Sequence, residues 1–134
     1  MSEYLFTYGT LQPGLAPLDI APAVNMLRPV GDGVVYGLLY DLGDYPGAIL
    51  DPLSKQQIHG TIFQLPENID ILPPLDGYED FDANSPATSL FLRELHSAVL
   101  TGGETLPCWI YVYNGKPDPA RILPGGRFRR RSHP

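Results

Sequence analysis

Cysteine is nearly absent from this chain. Cys108 is the only one among 134 residues, so no internal disulfide can form, and a reducing compartment such as the cytoplasm is expected. It stands beside Trp109 in an apolar run, where a buried, inert thiol is expected. No apolar stretch approaches ~18 residues, which leaves no candidate membrane span. No basic segment with a long apolar core opens the chain, so no signal peptide is read. Positive charge is scarce: residues 1–126 carry five basic side chains against fifteen acidic ones, a net −10. That balance excludes nucleic acid as the main partner, because phosphate binding needs a basic surface. The phosphate-binding signatures G-x-x-x-x-G-K-[ST] and G-x-G-x-x-G are missing, as is the G-x-S-x-G elbow of serine hydrolases. His59, His96 and His133 have no tight spacing, and one cysteine cannot build a structural zinc site. No metal and no organic cofactor is expected.

What the chain has is aromatic, β-branched sequence cut into short runs. Fourteen glycines and fifteen prolines make about a fifth of it, which is rich in turns but below the level of low-complexity disorder. Strands are predicted over residues 3–8, 34–42, 57–65, 89–101 and 108–113, with a short sixth over 48–50. Residues 102–107 read as the loop of an antiparallel hairpin. Gly37 and Gly60 interrupt two of these strands, as glycines do at bulges and sharp bends, and point to a strongly curved sheet. Short helices are predicted within 16–27, broken near Pro22, and within 67–78, where Pro73 and Pro74 forbid a long one. The expected architecture is α+β: a small, strongly curved antiparallel β-barrel with a few short helices, formed by residues 1–126 as one domain. Residues 127–134 form an Arg-rich tail, holding Arg127, Arg129, Arg130 and Arg131. It reads as a frayed, solubilising terminus, with contact to a phosphate or an acidic partner as the alternative.

Two stretches carry candidate chemistry. Tyr8-Gly9-Thr10-Leu11 ends the first strand ahead of Gln12-Pro13-Gly14. A strand that stops on glycine leaves main-chain N–H groups without ladder partners, and such turns make concavities that suit a carboxylate. The acidic run 76–82 places Asp76 and Glu79 three apart, on one face of a helical turn. Tyr78 and Phe81 flank Glu79, and a carboxyl beside aromatic rings has a raised pKa suited to proton transfer near neutral pH. The plainer reading of that run is a solvated acidic loop.

Taken together, Y-G-T-L at 8–11, Y-P-G-A at 45–48, L-D-G-Y-E at 75–79 and W-I-Y-V-Y at 109–113 resemble the γ-glutamylcyclotransferase-like family, over residues from about 4 to 115. The resemblance implies a twisted barrel with a cavity at one end and cyclisation of a γ-glutamyl amide or peptide to 5-oxoproline with release of the amine. It casts Glu79 as the catalytic acid and base. It casts Tyr8, Gly9, Thr10 and Leu11 as the loop that holds the amino-acid end of the substrate. Tyr45, Pro46 and Gly47 become part of the cavity rim, and Tyr113 a cavity residue on the last strand. The implied partner is a small γ-glutamyl molecule. The rival expectation is a non-catalytic barrel that binds a small carboxylate. Two positions depart from the family pattern. Asp80 stands where the family often has glycine, and Phe91 stands where many relatives have the tyrosine two residues before the arginine, here Arg93. Arg93 itself reads as a structural partner for one of the acidic groups.

Overall fold

The computed structural model describes residues 2–128. Six strands form: β1 (Tyr4–Thr7), β2 (Arg28–Asp41), β3 (Pro46–Leu50), β4 (Gln57–Gln64), β5 (Phe91–Leu100) and β6 (Thr105–Tyr113). Five of them close into a ring in the order β2, β4, β1, β6, β5, and β3 is added outside the ring along β2. A ring with an odd number of strands cannot alternate direction all the way round. One neighbouring pair must be parallel, and it is β1 with β6, where Leu5 pairs with Trp109. Every other pairing is antiparallel, as expected.

β2 is the longest strand because it serves three neighbours. Its first part pairs with β4, Gly33 and Val34 touch β5, and residues from Gly37 onward pair with β3. It starts six residues before the predicted 34. The stretch holding Pro29, Gly31 and Gly33 reads locally as a loop, but the register shift between Pro29 and Gly31 lets a proline sit in the strand at a bulge. Gly37 lies where β2 leaves β4 for β3, with φ +152°, and a Cβ there would stand 2.3 Å from the Ile49 carbonyl oxygen. Gly60 packs closer still against β1: a Cβ would stand 2.2 Å from the Thr7 carbonyl oxygen and 2.7 Å from the Phe6 ring. The two strand glycines therefore mark close backbone approach in a tightly curved sheet. The hairpin between β5 and β6 is shorter than expected, because Thr105, Leu106 and Pro107 pair with β5. Pro107 lies beyond the start of β1, on a stretch of β6 with no second neighbour, where its missing N–H breaks no ladder.

Alternation on the strands divides the core in two. Phe6, Val35, Ile58, Ile62, Ile110 and Val112 fill the ring, together with Cys108. Burial pushes the Cys108 thiol up to about 12, so it remains protonated and inert. Leu5, Phe63, Phe91 and Tyr111 face the other way and are covered by the helices α1 (Ala21–Val24) and α2 (Leu72–Tyr78), through Val24 and Leu75. Both helices carry proline in their first turn. There the missing N–H is one that would have no intrahelical partner in any case, so Pro22 starts α1 rather than breaking it. Among the described residues, no helix is long and apolar enough to cross a membrane. Residues 129–134, which hold most of the Arg-rich tail, lie outside the described residues.

Candidate active site

β1 ends at Thr7, and the chain turns away over residues 8–11. Tyr8 anchors that turn. Its side chain reaches between two strands, where its hydroxyl donates to the Tyr111 carbonyl of β6 and accepts from the Ala48 N–H of β3 at 3.3 Å. Gly9 packs against the Pro46 ring, and a Cβ there would stand 3.1 Å from Pro46 Cγ. The Gln12 side chain closes the turn by donating to the Gly9 carbonyl at 3.1 Å. Among the described residues, the N–H groups of Gly9, Thr10 and Leu11 have no protein acceptor. The turn thus presents three consecutive main-chain donors on a firmly tied loop, the arrangement that suits an anion.

α2 delivers Glu79. The helix ends in a Schellman motif: the Phe81 N–H bonds the Asp76 carbonyl at 2.9 Å, and the Asp80 N–H bonds the Gly77 carbonyl at 3.2 Å. Asp80 takes the left-handed conformation that this motif needs, with φ +55°. Aspartate is among the few residues that tolerate it, and glycine adopts it without strain. Asp80 therefore holds a backbone geometry that glycine would adopt without strain. Glu79 is the C-cap residue, partly buried, and burial lifts its carboxyl from an ordinary 4.5 to about 7.

Asp76 has a different task. Its carboxylate accepts from the Arg93 guanidinium at 2.8 and 3.3 Å and from the Tyr111 hydroxyl at 2.7 Å. Arg93 lies over the Trp109 ring, 4.4 Å from its centroid. The network ties α2 to β5 and β6, and Arg93 is the structural partner expected of it. Burial, then the Asp76 hydrogen bond and charge, hold the Tyr111 hydroxyl in its neutral form, and the Glu79 charge adds to this. Tyr8 is held neutral mainly by burial, with Glu79 contributing.

A cavity of about 290 Å³ is lined by Phe6, Thr7, Tyr8, Gly9, Thr10, Leu11, Tyr45, Pro46, Tyr78, Glu79, Phe91 and Tyr111. The structure therefore brings Glu79, the 8–11 turn, Tyr45 and Pro46 to one place. Gly47 and Tyr113 do not line it. Gly47 packs on Leu42 and Tyr113, and the Tyr113 ring meets Phe91 edge-on at 5.8 Å behind the wall. The last-strand tyrosine at the cavity is Tyr111. Both tyrosines share a strand face, so the two-residue period cannot choose between them. The parallel register does: Tyr111 lies abreast of Thr7, while Tyr113 lies past the end of β1. Phe91 stands at the cavity, where the family resemblance puts it, without the tyrosine hydroxyl; Phe6, Thr7, Tyr78 and Tyr111 are not singled out for the cavity by motif. Their only sequence signal is proximity to Y-G-T-L, L-D-G-Y-E and the last strand.

A larger open groove of about 690 Å³ lies on the other side of Tyr8, Gly9 and Thr10, with Asp32, His59 and Arg127 along it. Burial and Arg127 lower the His59 pKa, which favours the neutral imidazole. The smaller cavity holds Glu79, whose carboxyl is raised by burial towards neutrality, and is the better candidate site. Among the described residues, no group of three His, Cys, Asp or Glu side chains converges on a common point.

The family described as Gamma-glutamyl cyclotransferase, AIG2-like matches residues 5–130. No curated protein matches the chain in sequence. Solved structures share its fold at low identity. An AIG2-like protein from Mus musculus is 17% identical with a TM-score of 0.69, over 96% of this chain and 88% of that one. An uncharacterized protein from Pyrococcus horikoshii is 15% identical with a TM-score of 0.61, over 95% and 90%. A gamma-glutamyl cyclotransferase is 11% identical with a TM-score of 0.58, over 84% and 67%. At these identities the likeness is one of fold.

Proposed function

Since the chain belongs to the gamma-glutamyl cyclotransferase, AIG2-like family, we propose that it cyclises a γ-glutamyl amide to 5-oxoproline and frees the amine. One observation carries this reading. Glu79, whose carboxyl is lifted by burial to about 7, and the 8–11 turn, whose N–H groups at Gly9, Thr10 and Leu11 have no acceptor among the described residues, line the same small cavity.

The chemistry asks little else of the protein. The substrate's own α-amine attacks its γ-carbonyl, so no enzyme nucleophile is needed. The N–H groups of Gly9, Thr10 and Leu11 hold the α-carboxylate and so fix where the α-amine sits. Glu79 takes a first proton from the α-ammonium, and the freed amine attacks the γ-carbonyl to close a five-membered ring. The old amide C–N bond breaks as Glu79 returns that proton to the departing nitrogen, and the carboxylate then takes the second proton from the ring nitrogen and passes it to the released amine, which leaves as an ammonium. Positioning of this kind is worth ~7–11 kcal/mol of barrier, and general acid–base help about 10²–10⁴-fold. No step calls for a metal or an organic cofactor.

The wall also bears on the leaving group. Its described side chains include Leu11, Tyr45, Tyr78 and Phe91, and none is a lysine, arginine or histidine. Tyr45 and Tyr78 are among the exposed aromatics, and place apolar ring surface at the cavity's edge. Amides of uncharged or cationic amines suit such a wall better than acidic γ-glutamyl peptides, which would bury a carboxylate without a cation. Residues 1–126 form the catalytic domain in this reading, with a cytoplasmic location. The test is a panel of γ-glutamyl amides and peptides with 5-oxoproline detection, run beside Glu79→Gln. Turnover that Glu79→Gln abolishes in a folded protein supports the reading. A Gln variant at full rate removes Glu79 from the mechanism, and binding without turnover across the panel makes the protein a carboxylate-binding barrel instead.

A further inference from the structure

Thr7 lies on the cavity wall, and its side chain is out of place there by ordinary accounting. The residue is only 4% exposed, and its Oγ1 is a buried side-chain oxygen with no hydrogen-bond partner among the described residues. A buried hydroxyl left unpaired costs about 1–3 kcal/mol, and valine would fill the same space at no such cost. Alternation along β1 sets its direction. Phe6 points into the ring, while Leu5 and Thr7 face the helix-covered side, where Phe91 and Tyr111 also stand. The parallel register puts Thr7 abreast of Tyr111, and the chain runs directly from Thr7 into the turn with the partnerless N–H groups.

We propose that the Thr7 hydroxyl is a substrate-binding group that donates a hydrogen bond to the α-carboxylate held by the 8–11 turn. The inference rests on the cyclotransferase reading of the cavity. A hydroxyl supplies one donor and two acceptor sites. Donation to a carboxylate is charge-assisted, and stronger than a bond between neutral groups. In the empty cavity Oγ1 is closed to solvent, so the Thr7 side chain turns about its single χ1 bond to meet the carboxylate as substrate enters. The orphaned oxygen thus gains its partner, and the cost carried by the empty protein turns into discrimination for a γ-acyl group that bears a carboxylate.

The experiment compares wild type, Thr7→Val and Thr7→Ser. Valine removes the hydroxyl at nearly constant shape, and serine keeps it. For whichever γ-glutamyl amide the wild type turns over, Thr7→Val is expected to raise KM about tenfold with kcat within about twofold. Its thermal midpoint should be equal to or above that of wild type, because an unsatisfied polar atom has gone. Thr7→Ser should keep KM near the wild-type value. An unchanged KM in Thr7→Val overturns the proposal, and so does a fall in its thermal midpoint, which would show a purely structural hydroxyl. If the wild type turns over nothing in the panel, the cyclotransferase reading fails by itself, and titration with 5-oxoproline then decides the role of Thr7. About tenfold weaker binding by Thr7→Val supports it. Equal affinity, or no binding by wild type, overturns it.

Discussion

At the scale of single residues, Glu79 bears on stability and, in the proposed reaction, on activity, with opposite signs. Burial raises its folded pKa from 4.5 to about 7. A raised carboxyl pKa means that the folded state binds the proton more tightly than the unfolded chain does. The associated stability is complete below about 4.5 and is lost as pH rises through about 7. Glu79→Gln should therefore be neutral at pH 4 and more stable than wild type by about 2 kcal/mol at pH 8, allowing for partial exposure, as urea titrations at the two pH values would show. The catalytic counterpart is a kcat/KM profile that rises with pH and bends near 7, since the base must be unprotonated in the free enzyme. The Gln variant should lack that limb along with the activity. Phe91 shows the same scale of change at the wall: it adds ring surface where a tyrosine would add a hydroxyl.

At the scale of elements, α2 is a positioning device. Prolines start it, Leu75 seats it on the sheet, Asp76 locks it to Arg93 and Tyr111, and the Schellman motif presents Glu79 to the cavity. Asp80 carries the strain of that ending at φ +55°. Asp80→Gly should keep the motif and stabilise the protein by up to about 1 kcal/mol, net of the greater freedom that glycine has in the unfolded chain. A thermal midpoint that falls by several degrees would refute this account of the helix end. α2 was legible as a turn or two of helix within 67–78, because Pro73 and Pro74 limit it by a local steric rule. The role of Asp76 was not legible. Its spacing from Glu79 suggests a shared face, but its partners come from strands 17 and 35 residues away.

At the scale of the whole molecule, the five-strand ring decides where the motifs meet. Closure draws backbones together at glycines. Gly60, whose Cβ would stand 2.2 Å from the Thr7 carbonyl oxygen, sits beneath the strand that leads into the 8–11 turn. Gly60→Ala should cost about 3 kcal/mol or more in a urea titration, because the clash is with backbone and no side chain can swing away. A loss below about 1 kcal/mol would mean that β1 and β4 can part without breaking the ring. The strands themselves were legible from short aromatic and β-branched runs bounded by glycine and proline. The early start of β2 was not, since a bulge reconciles Pro29 with the sheet only once β4 lies beside it.

The amino-acid sequence alone determined the curved barrel with short helices and the turn after the first strand, which are local matters: alternation and turn residues act within a few residues of chain. Glu79 stood out only through the family resemblance, since the acidic run by itself reads as a solvated loop. Only tertiary structure decided that β1 and β6 run parallel, that Tyr111 and not Tyr113 reaches the cavity, and that Thr7 stands there with a hydroxyl unpaired among the described residues. Each of these depends on which strands are neighbours. An odd ring must contain one parallel pair, and the register of that pair chooses the residues that face the site.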